Sequence, residues 1–193
     1  PVQTTAGAIA TVNEDSASTA AVALWSTAPV YAAGPGNEAS QTLSYKINTI
    51  PSFITLFKAD GTTAVTTGTT LTAAEFAGLK YKTVGNTNGT GTITFDVIDS
   101  GSVTAPSVNT LSGQSVTMTV NAVNDAPVLS DTTLTLTAVK QDAAVPTGAV
   151  GALVSALVGG QSDIDASPVK GMAITGVNTN GTLFYSTNGG TTW

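Results

Sequence analysis

Two stretches, GTITFDVID from Gly91 to Asp99 and SVTMTVNA from Ser115 to Ala122, alternate apolar and polar residues with a period of two. Successive side chains of a strand point to opposite faces, so this pattern makes one wet and one dry face in a strand and neither in a helix. It predicts Ile93, Phe95 and Val97 on one inward row and Val116, Met118 and Val120 on another. The stretch TTLTLTAV from Thr132 to Val139 reads the same way, with Leu134 and Leu136 inward. The dipeptides Asp60-Gly61, Asn88-Gly89, Asn180-Gly181 and Asn188-Gly189 tolerate positive φ and suit tight hairpin turns. β-branched, Thr-rich segments separated by such turns predict an all-β sandwich.

One stretch breaks the pattern. In TAAEFAGL, Thr72 stands three residues before Glu75 and Gly78 closes the run. That is a capping box around about one helical turn, so Glu75 reads as a cap rather than a ligand or acid catalyst. The apolar run GAVGALVSALVGG, from Gly148 to Gly160, falls short of the roughly 20 residues a bilayer span needs. It reads as a buried strand or a short helical turn.

Charge is scarce, at 9% of residues, and the net charge is −6. Nucleic acid needs a basic footprint and is not an expected partner, whereas cations are. With neither Cys nor His in the chain, disulfides, zinc sites and thiol nucleophiles are ruled out, leaving oxygen ligands for hard cations such as calcium. No nucleophile elbow or phosphate loop occurs and the acids are scattered over turns, so no enzyme is expected.

A weak internal repeat organises the chain. Setting TVNEDSAS over AVKQDAAV puts Val12 on Val139 and Asp15 on Asp142, 127 residues apart. The same spacing carries Glu38 onto Asp165, Ile47 onto Ile174 and Ile50 onto Val177. One repeat therefore spans 1–126 and a second, incomplete copy spans 127–193. Half a sandwich would leave strands unpaired, so the natural chain is expected to continue past Trp193. Opening on Pro1 without a Met, the chain reads as an excised or mature segment.

The segments LTAAEFAGLKYKTVGNTNGTGTITFDVIDSG, VTMTVNAVNDAPV, SDIDASPVKGMAITGV and NGTLFYSTNGGTTW resemble the tandem cadherin-like and immunoglobulin-like repeats of large bacterial surface or secreted adhesins. The resemblance implies a Greek-key β-sandwich repeat followed by part of a second, an extracellular location at the cell surface, and neighbouring repeats of the same chain as partners. It also implies calcium at the junctions. In that pattern Asn124 and Asp125 form the linker, and Asp163 and Asp165 form the loop of the following copy. Asp99 and Glu38 face that junction from the preceding copy, while Glu14 and Asp15 face a domain before Pro1. The linker is shorter and less acidic than in true cadherins, and Glu14 is replaced by Gln141 in the second copy.

Alternate Asp residues on the extended stretch SDIDASP project the same way and suit a cation that takes six to eight oxygens. The same residue types also favour turns and strand ends, and both readings stand. Asn88-Gly-Thr and Asn180-Gly-Thr match glycosylation sequons but coincide with Asn-Gly turns. Trp25, Trp193, Tyr31, Tyr45, Tyr81 and Tyr185 could stack on a surface glycan if exposed together, but scattered aromatics more often fill a core. The expected function is a non-catalytic stalk segment in adhesion or biofilm formation, without membrane insertion. The alternative is a subunit of a surface layer, sheath or filament that assembles homotypically.

Overall fold

Strand outweighs helix by 32% to 6% of residues, and the chain is all-β. The structure, a computed structural model, describes residues 1–104, 108–178 and 180–193. It divides into unit 1, Pro1–Val123, and unit 2, Asn124–Trp193.

Unit 1 runs β1 (Val2–Thr5), β2 (Val12–Asn13), β3 (Val22–Ala23), β4 (Val30–Ala32), a 3-10 turn (Gly36–Glu38), β5 (Leu43–Thr49) and β6 (Ile54–Phe57). It continues through β7 (Ala64–Val65), β8 (Thr70–Thr72), α1 (Ala73–Ala77), β9 (Lys80–Thr83), β10 (Gly89–Asp99) and β11 (Thr110–Asn121). One sheet has the order β2-β11-β10-β5-β8, a second the order β3-β9-β6-β7, and β1 pairs with β4. The ladders are antiparallel except that of β2 with β11, where Val12 pairs with Val120 and Asn13 with Asn121 in parallel.

The sandwich follows from the alternation. Ile93, Phe95 and Val97 of β10 and Val116, Met118 and Val120 of β11 are buried, as expected. They join Ile54, Leu56, Val65 and Tyr81 of the other sheet in a single core cluster. At its centre Tyr45 stacks on Phe76 with centroids 4.2 Å apart, and Phe95 lies 4.8 Å from Phe76. The indole of Trp25 sits 5.1 Å from Phe76 and donates its N–H to the Phe76 carbonyl at 2.7 Å. Tyr31, Tyr45 and Tyr81 are therefore core residues and Trp25, half-buried, packs against them, so they form no stacking platform.

Phe76 reaches this centre because α1 is capped as the sequence predicts. The Thr72 hydroxyl accepts the Glu75 N–H, and the Glu75 carboxylate accepts the Thr72 N–H. Lys58 adds an ion pair to Glu75 at 2.8 Å. The hairpin expected at Asp60-Gly61 joins β6 to β7. Its Asp60 carboxylate accepts the N–H groups of Thr62 and Thr63, and Gly61 takes φ 72°.

Asn88-Gly89 is not a hairpin. It lies on the crossover from β9 in one sheet to β10 in the other, where Asn86 takes φ 55° and Gly89 takes φ 148°.

Unit 2 holds β12 (Val128–Leu129), α2 (Val154–Leu157) and β13 (Gln161–Ser162), with β12 antiparallel to β13. The apolar run from Gly148 to Gly160 thus forms a helical turn, with Val158 buried behind it. The strand expected over Thr132–Val139 is absent, and Leu134 and Leu136 are exposed. Alternation makes a strand only where a neighbouring strand and a core face exist to receive it, and no described residue pairs with this stretch. Asn180-Gly181 and Asn188-Gly189 lie in bends and turns flanked by no described strand.

Candidate functional site

The carboxylates singled out by the sequence fall into three places. At the end of unit 1 where β11 finishes, β2 leads into Glu14, which is buried. Its carboxylate accepts the Val123 N–H at 2.8 Å and the Asn88 amide at 3.3 Å. Asp15 follows with φ 64°, and its side chain accepts the Asn86 N–H at 3.0 Å.

The opposite end of β10 carries Asp99, also buried, paired in register with Leu43 and accepting the Gly101 N–H at 2.7 Å. It lies 3.5 Å from the amino group of Pro1. Glu38 closes the 3-10 turn that leads towards β5, at this same end. The ends of β10 are roughly 30 Å apart at the usual rise per strand residue.

The two ends are therefore exchanged relative to the sequence expectation. Glu14 and Asp15 sit beside the exit of β11 at Val123, and Asp99 and Glu38 lie at the far end. The parallel pairing of β2 with β11 carries Glu14 to the end where the last strand leaves, and the antiparallel register of β10 with β11, Ile98 opposite Thr110, sets Asp99 at the other end.

The third place is in unit 2. The N–H of Asp125 donates to the Asp165 carboxylate at 2.8 Å, and the N–H of Asp165 donates to the Asp163 carboxylate at 3.0 Å. The Asn124 side chain donates to the Asp125 carbonyl at 2.9 Å. Linker and Asp-x-Asp loop are thus drawn together across 40 residues. Each carboxylate keeps acceptor capacity beyond these bonds. The donors are oxygens, which suits a hard cation, but calcium takes six to eight of them. Among the described residues no three carboxylates gather into a group able to hold a metal ion.

The sequence singled out Asn88 as a turn and sequon and missed its role here, which is to donate to the Glu14 carboxylate. Tyr185 is exposed, and Trp193 donates its indole N–H to the Gly148 carbonyl at 3.1 Å.

Fold and loops define a class: an all-β sandwich protein with acidic residues at its strand ends. No described helix is long and apolar enough to cross a membrane. In comparisons with known proteins, no family model, no curated protein and no solved structure matches the chain.

Proposed function

We propose that this chain is a non-catalytic, extracellular stalk segment of the cadherin-like or immunoglobulin-like adhesin kind, stiffened by calcium around the linker Asn124–Asp125. The observation that carries the reading is the bond from the Asp125 N–H to the Asp165 carboxylate, which holds the linker on the acidic loop. Asp163 and Asp165 would hold the cation together with Asn124 and Asp125. Backbone carbonyls and water complete such shells in general. A ligand that binds only the folded state stabilises it by mass action, about 2.7 kcal/mol at a hundredfold excess over Kd. Calcium should therefore raise the unfolding midpoint and slow proteolysis at Val123–Val128. If neither responds to calcium or to a chelator, the reading fails.

A second reading, a self-assembling surface subunit, is favoured by one observation. Apart from Val120 and Asn121, β11 pairs on one side alone among the described residues, leaving Thr110–Thr119 as an open edge. Sedimentation separates the two: an elongated monomer supports the stalk, and ordered polymers support assembly.

A further inference from the structure

Asn88 is exposed, at the end of the segment that joins β9 to β10. Its side-chain amide donates to both oxygens of the buried Glu14 carboxylate, at 3.3 and 3.5 Å, and the same carboxylate accepts the Val123 N–H at 2.8 Å. A solvent-facing amide is thus tied to the group that fastens the end of β11.

The residue after Asn88 is glycine, and the fold requires it. Gly89 takes φ 148°, a conformation that side chains rarely adopt, and a Cβ there would lie 3.4 Å from the Phe53 ring. The same lack of a side chain leaves the Gly89 nitrogen unhindered on its approach to the Asn88 amide carbon. Asn-Gly is therefore the pair in which an asparagine cyclises most readily, and here it is kept in place by the backbone.

We propose that Asn88 is a self-modification site, converted to an acid without an enzyme, and that the conversion releases the bond between Glu14 and Val123. In the first step the Gly89 nitrogen gives up its proton and bonds to Cγ of Asn88. A succinimide ring closes as the Cγ–Nδ2 bond breaks, and ammonia leaves with the proton. In the second step water adds to a ring carbonyl: opening at Cγ gives aspartate, and opening at the main-chain carbonyl gives isoaspartate. Nothing is oxidised or reduced, and water is the sole co-reactant.

Gly89 begins β10 and pairs with Val120, so the ring closes when this strand end frays. Until then the bonds to Glu14 restrain the Asn88 amide, which couples the reaction to opening of the contact with Val123. Either product places a carboxylate, ionised at neutral pH, where a donor stood. Two like charges at hydrogen-bond distance repel, and the burial of Glu14 leaves the repulsion poorly screened. Glu14 loses its Asn88 partner, and the Val123 N–H loses a fixed acceptor. Since the ammonia is lost, the change is irreversible.

The test ages the full chain in mildly alkaline buffer, maps aspartate and isoaspartate at Asn88 and Asn180 by peptide mass, and reads amide hydrogen exchange at Val123. Asn88 should convert, and exchange at Val123 should quicken by about tenfold in the converted fraction. Asn88→Asp should show the faster exchange from the start. Asn88→Gln keeps an amide but has a larger ring to close, and should hold the slow rate through an ageing in which the exposed Asn180 converts. An Asn88 that stays an amide overturns the proposal. So does conversion at Asn88 that leaves exchange at Val123 unchanged, or equal quickening on ageing in Asn88→Gln.

Discussion

The buried carboxylate of Glu14 accepts the backbone N–H of Val123 at 2.8 Å, joining residues 109 positions apart where the last strand of unit 1 ends. Glu14→Ala removes the acceptor for this N–H and for the Asn88 amide. Hydrogen bonds to charged groups contribute about 1.5–3 kcal/mol. The variant should lose roughly 2 kcal/mol of unit 1 stability in chemical denaturation, while Glu38→Ala, in a turn that holds no buried residue, changes less.

Phe95 is fully buried and touches three aromatic rings, those of Tyr31, Tyr45 and Phe76. Truncation of such a side chain costs about 3–5 kcal/mol through lost transfer energy and the cavity left behind. Phe95→Ala should therefore unfold unit 1 at markedly lower denaturant, and Leu134→Ala, at an exposed position, should not.

Thr72→Ala removes one half of the capping box and should cost about 1 kcal/mol, read as a lower unfolding midpoint. The Lys58 ammonium and then the Thr72 N–H lower the Glu75 carboxyl from 4.5 to about 2. The hydroxyl and N–H of Thr63 also hold Asp60 well below the carboxylate range. A depressed folded value means the contribution is whole above about pH 4.5 and lost as pH falls towards about 2. Glu75→Gln should flatten the stability profile in that window and leave its neutral limb parallel to that of the parent.

Asp165→Ala takes away the acceptor of the Asp125 N–H. Cleavage within Asn124–Val128 should then be faster by limited proteolysis, and the calcium-induced rise of the unfolding midpoint should shrink. An undiminished calcium response in this variant would place the cation elsewhere.

Where a residue's fate depended on its near neighbours, the sequence was legible. Ile93, Phe95 and Val97 are inward because alternation along one strand leaves no other dry face, and Thr72 with Glu75 closes its box within four residues. The turn at Asp60-Gly61 is equally local. What could not be read depended on topology. The parallel contact of β2 with β11 leaves no mark on either segment, and it decides that Glu14 meets the end of β11. Leu134 and Leu136 repeat the alternating pattern faithfully and form no strand, since pattern alone does not provide a partner. The bond from Asp125 to Asp165 joins two of the positions that the resemblance singled out, although the pattern does not specify a backbone N–H as the link.

The parallel pairing of β2 with β11 also determines how unit 1 bears tension. A pull on the chain before β2 and after β11 draws the two strands in opposite directions along their own axes. The bonds around Val12–Val120 and Asn13–Asn121, and the contact of Glu14 with Val123, are then sheared together rather than peeled one at a time. Rupture under load requires all of them to fail at once, so this short clasp resists a stretching force better than its two residue pairs suggest.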